Sequence, residues 1–318
     1  MLSTSLPDIT RPSIFNTASP EAEKIGRIGN GFLIAGTAMF LLITLLTVYI
    51  CRKYRAKPNS SEPRQTSSNH LLEITMVGVP LLLVIFFFFW SLTTMSAVLP
   101  PAEKHKPDVI ITGHQFWWQA EYPANKFSTA NEIHLPVGKK LLLEVRAADV
   151  IHDWWVPALG AKMDMIPGTS NFLWMTITKP GVYLGTCSEF CGEQHAWMRI
   201  RVIAEQPQQY QRWLVSQSAI DKLPPDTLVE KGNALFIEAS CSNCHSIRGT
   251  AAIGQIGPDL THFAGRQTML AGMMSVNGQN IYNWLLAPQK IKPGAHMPRF
   301  NFGRDSLKAL TAYLSTLK

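Results

Sequence analysis

Charge is scarce in this sequence, where Asp, Glu, Lys and Arg make up 16% of residues. In two places, residues 29–51 and 74–102, it is missing altogether. A hydrocarbon core about 30 Å thick takes roughly 20 apolar residues at 1.5 Å each, so either run can span a bilayer. Neither offers the polar face of a helix that packs on a core and meets water on its other side. Histidine is also absent from both runs, which excludes ligation of a haem or metal by imidazole within them. The N-terminal stretch lacks the charged n-region, short apolar h-region and small-residue cleavage site of a secretory signal, so the first span is expected to serve as the insertion signal. Internal repeats and long low-complexity tracts are lacking too.

What charge there is near the spans is one-sided. The segment between them holds Arg52, Lys53, Arg55, Lys57 and Arg64, against Arg11, Lys24 and Arg27 in the N-terminal tail. The excess of basic residues keeps the short loop in the cytoplasm and places both termini outside. The expected divisions are an extracytoplasmic tail over 1–27, a transmembrane hairpin over 28–102, a second domain over 103–220 and a third over 221–318. The net charge of +7 partly reflects the cytoplasmic loop and gives no reason to expect nucleic acid as a partner.

Beyond the membrane, residues 108–204 alternate as strands do, in DVIITGHQFWWQAEY, KKLLLEV, NFLWMTIT and MRIRVIA, with turn signals between them. Short strands at this spacing predict a β-sandwich or barrel. Tyr210, Trp213 and Leu214 share the face of a short closing helix over 207–218. DKLPPD at 221–226 reads as a linker. The remainder is helical, and its last helix places Leu307, Leu310, Tyr313 and Leu314 on one side.

Only five cysteines occur. Cys51, at the cytoplasmic end of the first span, is expected to be an ordinary apolar lining residue, with lipidation the alternative. The other four form two pairs in an oxidising compartment, where disulfides are the default. The first pair lies in CSEFCGEQHAWM at 187–198. Thiolate and imidazole together suit zinc, blue copper or a site with more than one metal. Blue copper leaves one Cys surplus, and zinc gives Met198 no role. Cys187, Cys191, His195 and Met198, joined by a distant histidine taken to be His152 in DVIHDWWVP, fit two coppers bridged by two thiolates. The alternative is a Cys187–Cys191 disulfide beside an unrelated His195.

The second pair lies in CSNCH at 241–245. C-x-x-C-H is the pattern of covalent c-type haem, with Cys241 and Cys244 as thioether anchors and His245 on the iron. A redox dithiol or half a zinc site would need a thioredoxin-like setting or a second Cys/His pair, and neither is found.

Over about residues 25–218 the chain resembles subunit II of cytochrome c oxidase, the family that carries the binuclear CuA centre. The resemblance implies a two-helix transmembrane hairpin, then an all-β cupredoxin-like sandwich, then an all-α class I cytochrome c domain. It assigns Cys187 and Cys191 as bridges, one copper each to His152 and His195, Met198 as an axial ligand and the Glu189 carbonyl as another. In that family the Glu189 side chain also reaches a magnesium ion shared with the large subunit, and Asp164 and Pro167 fall in the segment after the first histidine. Glu73, seven residues before Pro80, matches an acid at the mouth of a proton pathway; an ordinary interfacial Glu is the alternative. The family usually has Trp, regarded as the entry point for electrons from soluble cytochrome c, where this chain has Phe116. Trp117 and Trp118 are expected in the core, and His114 is not a ligand in the family. His70, His105, His134, His262 and His296 have no partner spacing and are expected to be surface or satisfied core residues.

The last domain resembles class I cytochromes c. There PGAHMPRF supplies the distal methionine, chosen as Met297 over Met269, Met273 and Met274. Pro258 orients His245, Arg266 and Trp284 contact propionates, and Gly232 with Phe236 lets the first and last helices cross closely. The expected function is electron entry to a respiratory haem-copper oxidase of a bacterial inner membrane. Electrons from an external cytochrome or quinol-oxidising complex would pass to the fused haem, to CuA, and on to subunit I, where oxygen is reduced and protons are pumped. Membrane lipid and other oxidase subunits are further partners. A nitric oxide reductase subunit and a free-standing membrane-anchored shuttle are the alternatives. Residues 225–318 hold nine Lys and Arg against five acids, and residues 108–204 hold eight against nine, so a basic donor tethered to a mildly acidic acceptor is expected.

Overall fold

The structure, a computed structural model, describes residues 12–58, 65, 68–100, 106–220 and 223–318. Arg11, Arg64, His105 and the start of the expected linker fall outside them.

Two long helices come first, α1 (Pro20–Lys53) and α2 (His70–Val98). Both are long and apolar enough to cross a membrane. Where they pack, Phe32 stacks on Phe87 at 4.1 Å between ring centres. Gly31 faces Trp90, and a Cβ there would come within 2.7 Å of the indole. Glycine thus permits the close approach of helices that have no hydrophobic drive to associate in lipid. Glu73 accepts the Asn69 amide at 3.2 Å, which makes it part of the cap of α2. Cys51 is exposed on α1. Residues 24–98 form one compact unit, and the described residues from 12 to 23 belong with those described from Leu99 onward.

The helix α1 begins at Pro20, ahead of the expected start at 28, and the residues before it are tied down rather than loose. The Ala18 amide donates to Ala158, the Thr178 amide donates to Ala18, and the Ser19 hydroxyl donates to the Leu159 carbonyl. Buried Glu21 accepts from Thr176.

Ten strands follow: β1 (Val109–His114), β2 (Trp117–Tyr122), β3 (Phe127–Ala130), β4 (Glu132–Pro136), β5 (Lys140–Ala147), β6 (His152–Trp155), β7 (Met163–Met165), β8 (Asn171–Thr176), β9 (Gly181–Cys187) and β10 (Arg199–Glu205). They make two five-stranded sheets, ordered β3-β2-β1-β5-β8 and β4-β10-β9-β6-β7. Parallel pairs β1/β5 and β4/β10 interrupt otherwise antiparallel ladders. Alternation puts Trp118, Ala120 and Tyr122 of β2 inward, and Trp118 meets Trp154 edge to face at 5.6 Å. The stretch DVIITGHQFWWQAEY, which reads as one strand, is a hairpin: it turns at Gln115 and Phe116 because the Asp149 carboxylate captures the Gln115 amide at 2.7 Å. Helix α3 (Pro207–Ser218) closes the sandwich as expected, its Trp213 stacked on His134 at 4.1 Å and set against Tyr122.

The C-terminal part holds α4 (Thr227–Glu238), a two-stranded ladder of β11 (Thr268–Met269) and β12 (Met274–Ser275), α5 (Gly278–Leu286), α6 (Pro288–Ile291) and α7 (Arg304–Thr316). Asp226 caps α4 by accepting the Leu228 amide at 2.7 Å. Leu307, Leu310, Tyr313 and Leu314 are all buried along α7. A Cβ on Gly232 would overlap the Ala309 carbonyl, so glycine is what lets α4 and α7 cross at backbone contact.

Candidate metal centres

Cys187 ends β9, and a loop of ten residues leads through Cys191 and His195 to Met198, just before β10. Strand β6 pairs with β9 at Trp154 and Cys187, which carries His152 to the same place. The Sγ atoms of Cys187 and Cys191 lie 3.9 Å apart as free thiols, so the disulfide alternative is not adopted. Each thiol has its own imidazole: Cys187 is 3.9 Å from His152 Nδ1, and Cys191 is 3.8 Å from His195 Nδ1. Met198 Sδ stands 3.9 Å from Cys191, and the Glu189 carbonyl 3.2 Å from Cys187. His152 and Met198 are fully buried and both cysteines nearly so, while His195 is only half-buried. Such a dry, soft donor set suits copper.

The hydrogen bond from Cys191, helped by His152 and against the cost of burial, pulls Cys187 down to about 3. The same bond, with burial, pushes Cys191 up. A cation would remove both protons. Burial works against a charged His152, but hydrogen bonds with Asp149 and Cys187 outweigh it and raise the ring's pKa. The Asp149 carboxylate, 2.8 Å from His152 Nε2, fixes which imidazole nitrogen faces the thiols. On the other side, buried Asp153 is pushed up to about 7 by burial and by Asp164 across the β6/β7 pair. Pro167 bridges to Ala147. Glu189 is exposed.

A cavity of about 530 Å³ takes in Cys241, Cys244, His245 and Met297 from one side and Phe116 and Asp149 from the other. The His245 Nδ1–H donates to the Pro258 carbonyl at 2.8 Å, which leaves Nε2 as the free ligand atom. Burial lowers the pKa of His245 and keeps the ring neutral, as a ligand must be. Gly257 lies flat on that ring, where a Cβ would come within 2.6 Å. Arg266, half-buried among the lining residues, donates through Nη2 to the Asp259 carbonyl and keeps a buried Nε with no partner among the described residues, an arrangement that suits a carboxylate of a bound group. Trp284 lines the cavity as well, and so does Met269, which leaves two methionines there rather than one; Met273 and Met274 do not. These residues fit a haem.

Sequence reasoning missed how closely the two centres adjoin. Gln115 lines the cavity and donates through Nε2 to the Cys191 carbonyl at 2.6 Å. Lys292, only 3% exposed, donates to the Phe116 carbonyl at 3.0 Å and to the Leu270 carbonyl at 3.2 Å. Gln194, next to His195, donates to the Pro293 carbonyl at 2.5 Å. His296 is exposed, as a surface residue is expected to be, and its ring also lies 5.9 Å from that of Phe116 at the edge of the cavity. His134 and His262 are satisfied, by Glu205 and by the carbonyl oxygens of Lys318 and Ala219. His70 is exposed near Glu73, and His114 stacks on Trp117.

Three family patterns match the chain: "Cytochrome C oxidase subunit II, transmembrane domain" over residues 11–94, "Cytochrome C oxidase subunit II, periplasmic domain" over 124–205 and "Cytochrome c" over 229–318. The chain is similar to the cytochrome c oxidase subunit 2 of Alkalihalophilus pseudofirmus, at 35% identity over 90% of this chain and 85% of that one. It is also similar to that of a Bacillus species, at 30% identity over 80% and 77%. Among solved structures, the periplasmic domain of subunit II of cytochrome oxidase from Bradyrhizobium japonicum matches with 33% identity, covering 37% of this chain and 96% of that one, at a TM-score of 0.35. The matched domains imply copper in the sandwich and haem c in the C-terminal part.

Proposed function

Because the chain belongs to the cytochrome c oxidase subunit II family, we propose that it brings electrons into a respiratory haem-copper oxidase, from the haem of its own last domain to a two-copper centre and on to the large subunit. Bound in these sites, the metals supply one-electron chemistry. Everything else here is done by the chain's own residues.

Cys187, Cys191, His152, His195, Met198 and the Glu189 carbonyl would hold the two coppers, with the two thiolates shared between them and one imidazole for each. One tetrahedral ion would need its four donors within about 3.8 Å of one another at bonds of about 2.3 Å. His152, Cys187 and Cys191 form a group whose ligand atoms all lie within 4.8 Å of each other, and His195 is outside it. A second metal position near His195 accounts for that spread. Cys241 and Cys244 would anchor the haem covalently, and His245 and Met297 would bind its iron. The observation that carries the electron route is the shared cavity wall: Gln115 and Asp149 line the haem cavity while bonded to Cys191 and His152.

Phe190, 77% exposed, and Trp197, 45% exposed, flank the half-buried His195. An apolar patch on the open side of the copper loop suits a protein partner, and the large subunit is the expected one. That subunit reduces oxygen and pumps protons. Exposed Glu189 would complete a magnesium site with ligands from the large subunit. Glu73 is a proton-entry candidate by resemblance, although capping α2 already explains its place; turnover and proton uptake of a Glu73→Gln variant decide between the two roles. Both soluble domains and both termini lie on the extracytoplasmic side of a bacterial inner membrane.

The test is purification from the native membrane in mild detergent. A polytopic haem partner, oxygen consumption, a near-infrared copper band, a c-type haem band and two coppers per chain are expected. Zinc or no metal at Cys187 and Cys191 overturns the copper assignment. Consumption of nitric oxide instead of oxygen, or isolation without a partner, overturns the oxidase assignment.

A further inference from the structure

A tethered donor that docks and undocks has a small, wet interface held by surface charge. The interface between the sandwich and the haem domain is of another kind. Glu132, at the start of β4, is 2% exposed. Its Oε1 accepts the Thr268 amide at 2.8 Å and the Thr268 hydroxyl at 2.7 Å, and its Oε2 accepts the Gln267 amide at 3.0 Å. Arg201, from its own domain, stands 3.4 Å away and also reaches the Gln267 side chain. The mirror arrangement is Lys292, a buried ammonium of the haem domain that divides its bonds between Phe116 of the sandwich and Leu270 of its own domain. Each charge gives up water and takes at least one partner that is present only when the domains are together. Breaking such bonds is costly because a buried charge is left unpaired.

The connector is held as well. Arg248 donates to the Gln217 carbonyl, and His262 Nε2 lies 3.1 Å from the Ala219 carbonyl, so the exit from α3 is pinned to the haem domain. The metal-binding loops also touch. Gln194 bonds to Pro293, and Gly294, at a φ of 76°, packs on Glu193 where any Cβ would overlap the carboxylate.

We infer that Glu132 and Lys292 are positioning residues that latch the haem domain permanently onto the sandwich, so that the donor to copper is a fixed part of the molecule and not a tethered one. The role of this latch in electron transfer rests on the haem-to-copper route proposed above; its existence does not.

Hydrogen exchange on the intact chain within its complex tests the latch directly. The Gln267 and Thr268 amides, both bonded to Glu132, should be as protected as the amides of β10. In Glu132→Ala, protection there should fall about tenfold to a hundredfold, as for loss of hydrogen bonds to a charged acceptor, while β9, β10, α4 and α7 keep theirs. Glu132→Gln, which retains one acceptor oxygen, should fall between. Flash-induced reduction of copper by the haem, one electron from ferrous haem to the oxidised copper pair, should be indifferent to glycerol and salt in the wild type and become sensitive to both in Glu132→Ala. Wild-type amides that exchange like an exposed loop, or a wild-type rate that falls with viscosity, overturn the latch. Protected amides with no electron passing from haem to copper at any viscosity would uphold the latch and overturn the electron route.

Discussion

Asp149 sits between the two centres, bonded to His152 on one side and lining the haem cavity on the other. A carboxylate that orients a metal-bound imidazole typically contributes 10–100-fold in affinity, so Asp149→Asn should weaken copper binding by roughly that factor. Competition against a chelator of known affinity measures it, with the haem spectrum as the control for folding. Two methionines reach the haem cavity, and Met297 is the one expected on the iron. Met297→Ala should lose the sulfur-to-iron absorption band and lower the haem potential, whereas Met269→Leu should keep both. At this scale the cysteines and histidines were legible because each motif is local and its residue types have few other uses in such a pattern. Asp149, three positions before His152, was within reach of the same reasoning. Glu132 and Lys292 were not, because the partners that join the domains are mostly backbone groups more than a hundred positions away.

Helices and strands were legible wherever the side-chain period matched a single buried face. Helix α7 shows this, with its buried residues at the expected positions. The β1/β2 hairpin escaped because its turn has neither Gly nor Pro at its centre and is held instead by a carboxylate from beyond β5. Gly232→Val should destabilise the haem domain by about 1–3 kcal/mol, since the Ala309 carbonyl it would meet is backbone in a packed helix; thermal melting followed by haem absorbance checks it. The loop after α6 makes a pH prediction. Burial lowers Lys292 from 10.5 to about 8. Between those values the unfolded chain binds the extra proton, so this residue's contribution to stability rises with pH across that window. The difference in melting temperature between wild type and Lys292→Met should therefore shift in favour of the wild type from pH 8 to 10; an unchanged difference would contradict it.

For the molecule as a whole, three domains and their order could be inferred from hydropathy and two cysteine motifs. The way they adjoin could not. Overall charge suggested a basic donor facing an acidic acceptor, but the interface places an acid on the sandwich among amides and a lysine among carbonyls. Such bonds depend on backbone direction, which composition does not encode. Phe116, where the resemblance calls for Trp, lies under the haem domain, its carbonyl taken by Lys292. The segment before α1 also joins the sandwich. Ser19→Ala, which removes a hydroxyl bonded to both Leu159 and Ala22, should cost the sandwich about 1 kcal/mol, visible as a lower melting temperature followed by copper absorbance.

That segment carries a geometric consequence. Groups on opposite sides of a bilayer cannot hydrogen-bond, yet Ala18, ahead of the first crossing, donates its amide to Ala158, which lies beyond the second. The polypeptide must therefore cross an even number of times between them and return to the leaflet from which it set out, wherever the arginines and lysines happen to fall.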